Sequence, residues 1–207
     1  MDLSLSRLNA RSHDIERWLD APGPTVHTVW YGTFDELWCD ARFYWVAAHE
    51  CEDEAHALVC SWRRHLEQVE ELELRGSHLE LFLGSFAANT GHGNAAAFTA
   101  LTEAEWLKET SLVIEGIRKA IADVRSGRRL VHGKLLQIPE GPLDLGDTST
   151  YWGIFEDGQR VEAEAAFRLS LPGNFVDGIA IRNEWNEREL FVRTTAAYVL
   201  FAWGTGA

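Results

Sequence analysis

ELFVRTTAAYVLFAW, Glu189 to Trp203, is the stretch whose reading decides the fold. It is dense in aromatic and β-branched residues and contains neither glycine nor proline, so it reads as one long strand. Working outward, PGNFVDG (Pro172 to Gly178) turns the chain into GIAIRNEW, and Asn186-Glu187 turn it again into the Glu189 run. Earlier still, Val161, Ala163, Ala165, Phe167, Leu169 and Leu171 alternate, which predicts a strand with one buried face. Asp157-Gly158, just before it, is a hairpin turn signal. RLVHGKLLQIP, from Arg129, is a further strand candidate, and PEGPLDLGDTST after it is a polar loop. Together these make the last third an antiparallel meander.

The texture before residue 128 is different. Ala55, Leu58, Val59, Trp62, Leu66, Val69 and Leu72 repeat at helical spacing, which predicts a long helix over residues 50–73, with Gly76 as its stop. Thr102 and Glu105 have the spacing of a capping box. They open a second helix over 103–125 that carries Trp106, Val113, Ile117 and Val124, and Gly127 ends it. Ser12 can cap a short helix bearing Ile15, Trp18 and Leu19, which Ala21 to Pro24 close. TVHTVWYG, from Thr25, reads as a strand. Thr33 stands three residues before Glu36, and Phe34, Leu37, Trp38, Ala41, Trp45 and Ala48 fit a helix over 34–48, although its inner run RFYWVAA fits a strand equally well. HLELFLGSFA, from His78, is a strand candidate, and NTGHGN, from Asn89, a loop. Helices early and strands late predict a single α+β domain over 1–207, helix-rich in 1–127 and strand-rich in 128–207, with an antiparallel β-sheet and helices packed on one face.

The totals fit that expectation. A chain of 207 residues with 46% hydrophobic and 25% charged residues can build a real core. Its formal net charge is −13, and between Asp35 and Glu80 twelve acids stand against four bases. Such a surface repels nucleic acid and anionic membranes and attracts basic partners. The N-terminus lacks the basic start and apolar run of a signal peptide, and no apolar stretch approaches the ~20 residues that cross a bilayer. Three sparse cysteines, Cys39, Cys51 and Cys60, suit reduced thiols, so the expected location is the cytoplasm.

AAHECEDEAHALVCSWRRH, Ala47 to His65, is the strongest candidate for chemistry. On the long helix His49, Glu52, Asp53, His56 and Cys60 share one face, away from the apolar stripe. His49 and His56 are nevertheless two turns apart, about 10.5 Å along the axis. Zinc ligands lie ~2.0–2.3 Å from the ion, so one metal cannot easily take both. His65 falls on the other flank. A solvated helix face therefore outweighs a metal site. His92, between Gly91 and Gly93, could serve as a loop general base. Ser85 lacks a nucleophile elbow, and Cys39 and Cys60 read as small buried hydrophobes. The sequence thus points to no catalytic, cofactor or metal site. It points instead to a partner surface: Glu67, Glu70 and Glu71 on the helix, with Glu184, Trp185 and Glu187 at a hairpin tip, an aromatic ringed by carboxylates.

TVHTVWYGTFDEL, Thr25 to Leu37, resembles the opening of some bacterial polymorphic-toxin immunity proteins: a strand with an aromatic, a glycine, then an acidic-capped helix. The resemblance spans 13 residues. It implies a small acidic α+β protein that neutralises a cognate basic toxin, such as a nuclease, without cofactor. The alternatives are a phage-encoded inhibitor that mimics nucleic-acid charge, and a small enzyme using a loop histidine.

Overall fold

The computed structural model describes residues 21–33, 39–68, 99–112, 172–183 and 187–205. It also describes the strand residues 130–131, 134–135, 152–156 and 159–161, and positions 3, 8, 14, 17, 18 and 115. The strands are β1 (His27–Thr33), β2 (Cys39–Ala47), β3 (Thr99–Leu101), β4 (Leu130–Val131), β5 (Lys134–Leu135), β6 (Trp152–Glu156), β7 (Gln159–Val161), β8 (Phe175–Asn183), β9 (Glu187–Thr194) and β10 (Ala197–Thr205). Helix α1 spans Glu54–Gln68, after a 3-10 turn at Ala48–Glu50, and α2 covers 103–112. Among the described residues eight strands form one sheet in the order β3-β8-β9-β10-β2-β1-β6-β7, and every neighbouring pair is antiparallel. β4 and β5 pair separately. The class is α+β.

Two sequence expectations are corrected here. The helix expected over 34–48 is a strand from Cys39 to Ala47, paired with β1 on one side and β10 on the other. Its apolar residues resemble a helical stripe because a central strand buries both faces: Ala41, Phe43, Tyr44 and Val46 are all buried. The sheet therefore draws on β1, β2 and β3 as well as the last third. The second correction concerns the opening stretch, which is a hairpin rather than one strand. β9 ends at Thr194, Thr195-Ala196 turn, and β10 begins at Ala197. Thr194 makes the turn possible, because its Oγ1 accepts the N–H of Ala197 at 2.9 Å and of Ala196 at 3.2 Å. The same hydroxyl donates to the Pro172 carbonyl, which joins this turn to the 172–174 turn.

Other expectations meet direct counterparts. The Asp157-Gly158 signal lies between Glu156 and Gln159, which pair across the β6–β7 hairpin. Arg129 to Pro139 yields the small β4–β5 pair instead of one strand. The alternating run from Val161 to Leu171 lies, after Val161, outside the described residues, as do 78–87 and NTGHGN. At α2 the capping box is complete. Glu105 N–H donates to Thr102 Oγ1 at 3.3 Å, and Thr102 N–H returns a bond to the Glu105 carboxylate at 2.8 Å.

Strand alternation sorts the core into two layers. Tyr44, Val46, Ile179, Ile181, Phe191, Tyr198 and Leu200 face α1, which packs Ala55, Leu58, Val59 and Trp62 onto them, with Trp18, Leu3 and Leu8 joining from the N-terminus. Each large side chain buried this way contributes about 1.5–3 kcal/mol. The opposite face carries Phe43 and Phe201, whose rings lie 4.7 Å apart, and α2 places Trp106 against both at 6.2 and 6.1 Å. α1 has the one-face packing expected of it, and α2 adds cover from the other side.

Candidate functional site

Two polar regions flank α1. The first is its N-terminal end, where most of the residues singled out in Ala47 to His65 gather. Asp53 caps the helix: its Oδ1 accepts the His56 N–H at 3.0 Å. His56 answers, its Nδ1 accepting at 3.1 Å the N–H of Glu52, the residue just before the cap. The ring also stacks on Trp18 at 5.1 Å. Glu52 in turn accepts the Trp18 indole N–H at 3.2 Å and the Arg17 guanidinium at 2.9 Å. The cluster pins the N-terminal segment to the helix start. Among the described residues no group of three His, Cys, Asp or Glu is placed to hold a metal ion. His49 is exposed on the 3-10 turn, apart from this network.

Cys51 and Cys60 carry free thiols. Burial pushes Cys51 up to about 12, with the neighbouring Cys60, Glu50 and Asp53 adding to it. Burial likewise raises Cys60 to about 11 against the pull of Arg63. Both are therefore neutral thiols, poor nucleophiles and poor metal ligands at pH 7. Cys60 is buried, as a small hydrophobe would be. The side chain of Cys39 lies outside the described set.

The second region was not legible in the sequence. One turn and more along α1, Cys60, Arg63 and Arg64 face the segment Gly23 to Val26 across a cleft of about 330 Å³. Arg63 Nη1 donates to the Ala21 carbonyl at 3.3 Å, which ties the helix to that segment. On the inner side of the same helix His65 contacts Tyr44, Nδ1 to the phenol oxygen at 3.0 Å, and tilts against Trp62 at 5.1 Å. Enclosure of its ring lowers it to about 3, with the Arg42 charge adding to the effect. His65 is neutral at any physiological pH and acts as a packing residue. Only the register of β2 brings Tyr44 beneath it.

The expected partner residues are only partly described. Glu67 stands in the last turn of α1, and Glu187 opens β9, paired with Gly204. Glu70, Glu71, Glu184, Trp185 and His92 lie outside the described residues. Among the described residues no helix is long and apolar enough to cross a membrane. No protein-family model, no curated protein and no solved structure matches this chain.

Proposed function

We propose that this protein is a non-catalytic binding protein, an immunity-type inhibitor that engages a basic partner such as a toxin nuclease in the cytoplasm. The observation that carries this reading is charge: a net −13, with twelve acids against four bases between Asp35 and Glu80. The described acids Glu50, Glu52, Glu103, Glu105 and Glu115 are exposed and add to an electronegative surface. His56, the strongest chemical candidate, is engaged in capping and stacking instead. An electronegative surface accelerates encounter with a cationic partner, while aromatic anchors slow its release. Glu67, Glu70, Glu71, Glu184, Trp185 and Glu187 are the proposed contact residues.

The test is affinity capture from the native host, identification of the captured protein, and association kinetics at low and high salt. The expected partner is basic. Its association rate should fall steeply as the Debye length shrinks from ~10 Å at 0.1 M to ~3 Å at 1 M. Trp185→Ala should instead raise the dissociation rate, costing on the order of 2 kcal/mol. A neutral or acidic partner with salt-independent association would remove this reading.

A further inference from the structure

Against its prevailing negative charge the chain sets two consecutive arginines, Arg63 and Arg64, on the wall of one cleft. Both are half-buried on α1, and the facing wall is the segment Gly23 to Val26. A Cβ at Gly23 would lie in ordinary contact with the Cys60 sulfur at 3.4 Å, so a branched side chain there would take up space at the floor. The opening, about 330 Å³, is at the small end of the range for ligand pockets and suits a compact solute rather than a polymer. A guanidinium presents a planar fork of N–H donors that matches two oxygens of a carboxylate or phosphate. Arg63 is further oriented by its bond to the Ala21 carbonyl, which lowers the entropy lost on binding.

We infer that the cleft between Gly23–Val26 and the Cys60–Arg64 turn of α1 binds a small oxyanion, with Arg63 and Arg64 supplying the charge. Binding there does not rest on the acidic partner surface, although Glu67 stands one helical turn beyond Arg63 and Arg64. The cleft is mixed in character: Pro24, Val26 and the neutral Cys60 thiol line it beside the two cations. It therefore favours an anion with a short apolar body over a bare halide. The ligand's oxygens come from either a carboxylate or a phosphate.

The full-length protein, labelled with 15N, is titrated with inorganic phosphate and separately with succinate, each at constant ionic strength set by sodium chloride. Saturable shifts confined to the amides of Gly23, Thr25, Val26 and residues 60–64 are expected. Saturation by phosphate alone, or by succinate alone, supports the site and assigns the oxyanion class. Saturation by both supports recognition of the shared oxygens. Arg64→Gln should weaken binding about tenfold or more, as loss of a charge-assisted hydrogen bond does. Gly23→Val, which leaves every charge in place, should weaken it as much by filling the floor. Both variants are checked by an otherwise unchanged amide spectrum. If one fails to fold, the other decides. Shifts that never saturate, that spread over the surface, or that persist undiminished in a folded variant would overturn the proposal.

Discussion

At the scale of single residues the histidines show how environment decides chemistry. His56 and His65 stand nine positions apart on one helix and serve different ends. His56 sits at the exposed helix start and caps it, whereas His65 lies over Tyr44 with its ring enclosed. The enclosure has a measurable consequence. The folded value of His65 is about 3, below the ordinary 6.5, so the unfolded chain takes up a proton more readily than the folded one. Stability contributed this way is fully present above about pH 6.5 and declines as pH falls toward 3, by on the order of 1 kcal/mol per pH unit. Urea unfolding at pH 7 and pH 5 should show the loss. His65→Gln, which keeps an acceptor for the Tyr44 hydroxyl but cannot titrate, should flatten that part of the pH dependence. An unchanged acid slope in the variant would mean that other groups dominate.

At the scale of elements, turns and caps do the placing. Gly173 has φ +82°, and a Cβ there would meet Thr195 Oγ1 at 2.6 Å and the Ala196 nitrogen at 3.0 Å. That glycine lets the 172–174 turn nest against the 195–196 turn. Asn174 and Thr195 then exchange bonds, Asn174 N–H to Thr195 Oγ1 at 3.0 Å and Thr195 N–H to the Asn174 carbonyl at 2.9 Å. Gly173→Ala pays the left-handed penalty of about 1–2 kcal/mol and must also displace the neighbouring turn. Thermal melting should show a clearly lowered midpoint, whereas substitution of exposed Thr99 on edge strand β3 should leave it nearly unchanged. An equal effect at the two sites would contradict the nested-turn account. Among the described residues the outermost strands β3 and β7 have three residues each.

At the scale of the molecule the decisive feature is the seam between β2 and β10. It joins Cys39–Ala47 to Ala197–Thr205 along nine paired positions, from Ala197↔Ala47 to Thr205↔Cys39. The chain's C-terminal strand thus lies inside the sheet, between β9 and β2. Removing it does not trim an edge; it separates the β1–β2 side from β8–β9 and uncovers Tyr44, Val46 and Phe43 at once. A chain ending at Thr194 should therefore lose its cooperative unfolding transition and dispersed amide spectrum. Retention of either would show that the remaining strands suffice. The same long-range seam predicts slow folding, since its contacts close a loop of most of the chain.

Local chemistry was legible wherever it was self-contained. The Thr102–Glu105 box, the strand at TVHTVWYG, the stripe of Ala55, Leu58, Val59 and Trp62, and the Asp157-Gly158 turn signal each depend on residues close in sequence, and each has its counterpart in the structure. Phe34 to Ala48 misled because β2 buries residues on both faces, Ala41 and Phe43 on one and Tyr44 and Val46 on the other, and such a run contains helical spacing by accident. Glu189 to Trp203 misled because Thr195-Ala196 carries no glycine, proline or asparagine, and the turn is made by the Thr194 hydroxyl, which also bonds the distant Pro172 carbonyl. The Arg63–Arg64 cleft was invisible for a related reason: its walls are some forty residues apart, and only packing of Gly23 against Cys60 brings them together. The sequence by itself determined the α+β class, the acidity and the start of α2, which follow from composition and nearest-neighbour geometry. Strand order, the two-sided core and the cleft were decided by tertiary structure, because each depends on which distant surfaces exclude water together.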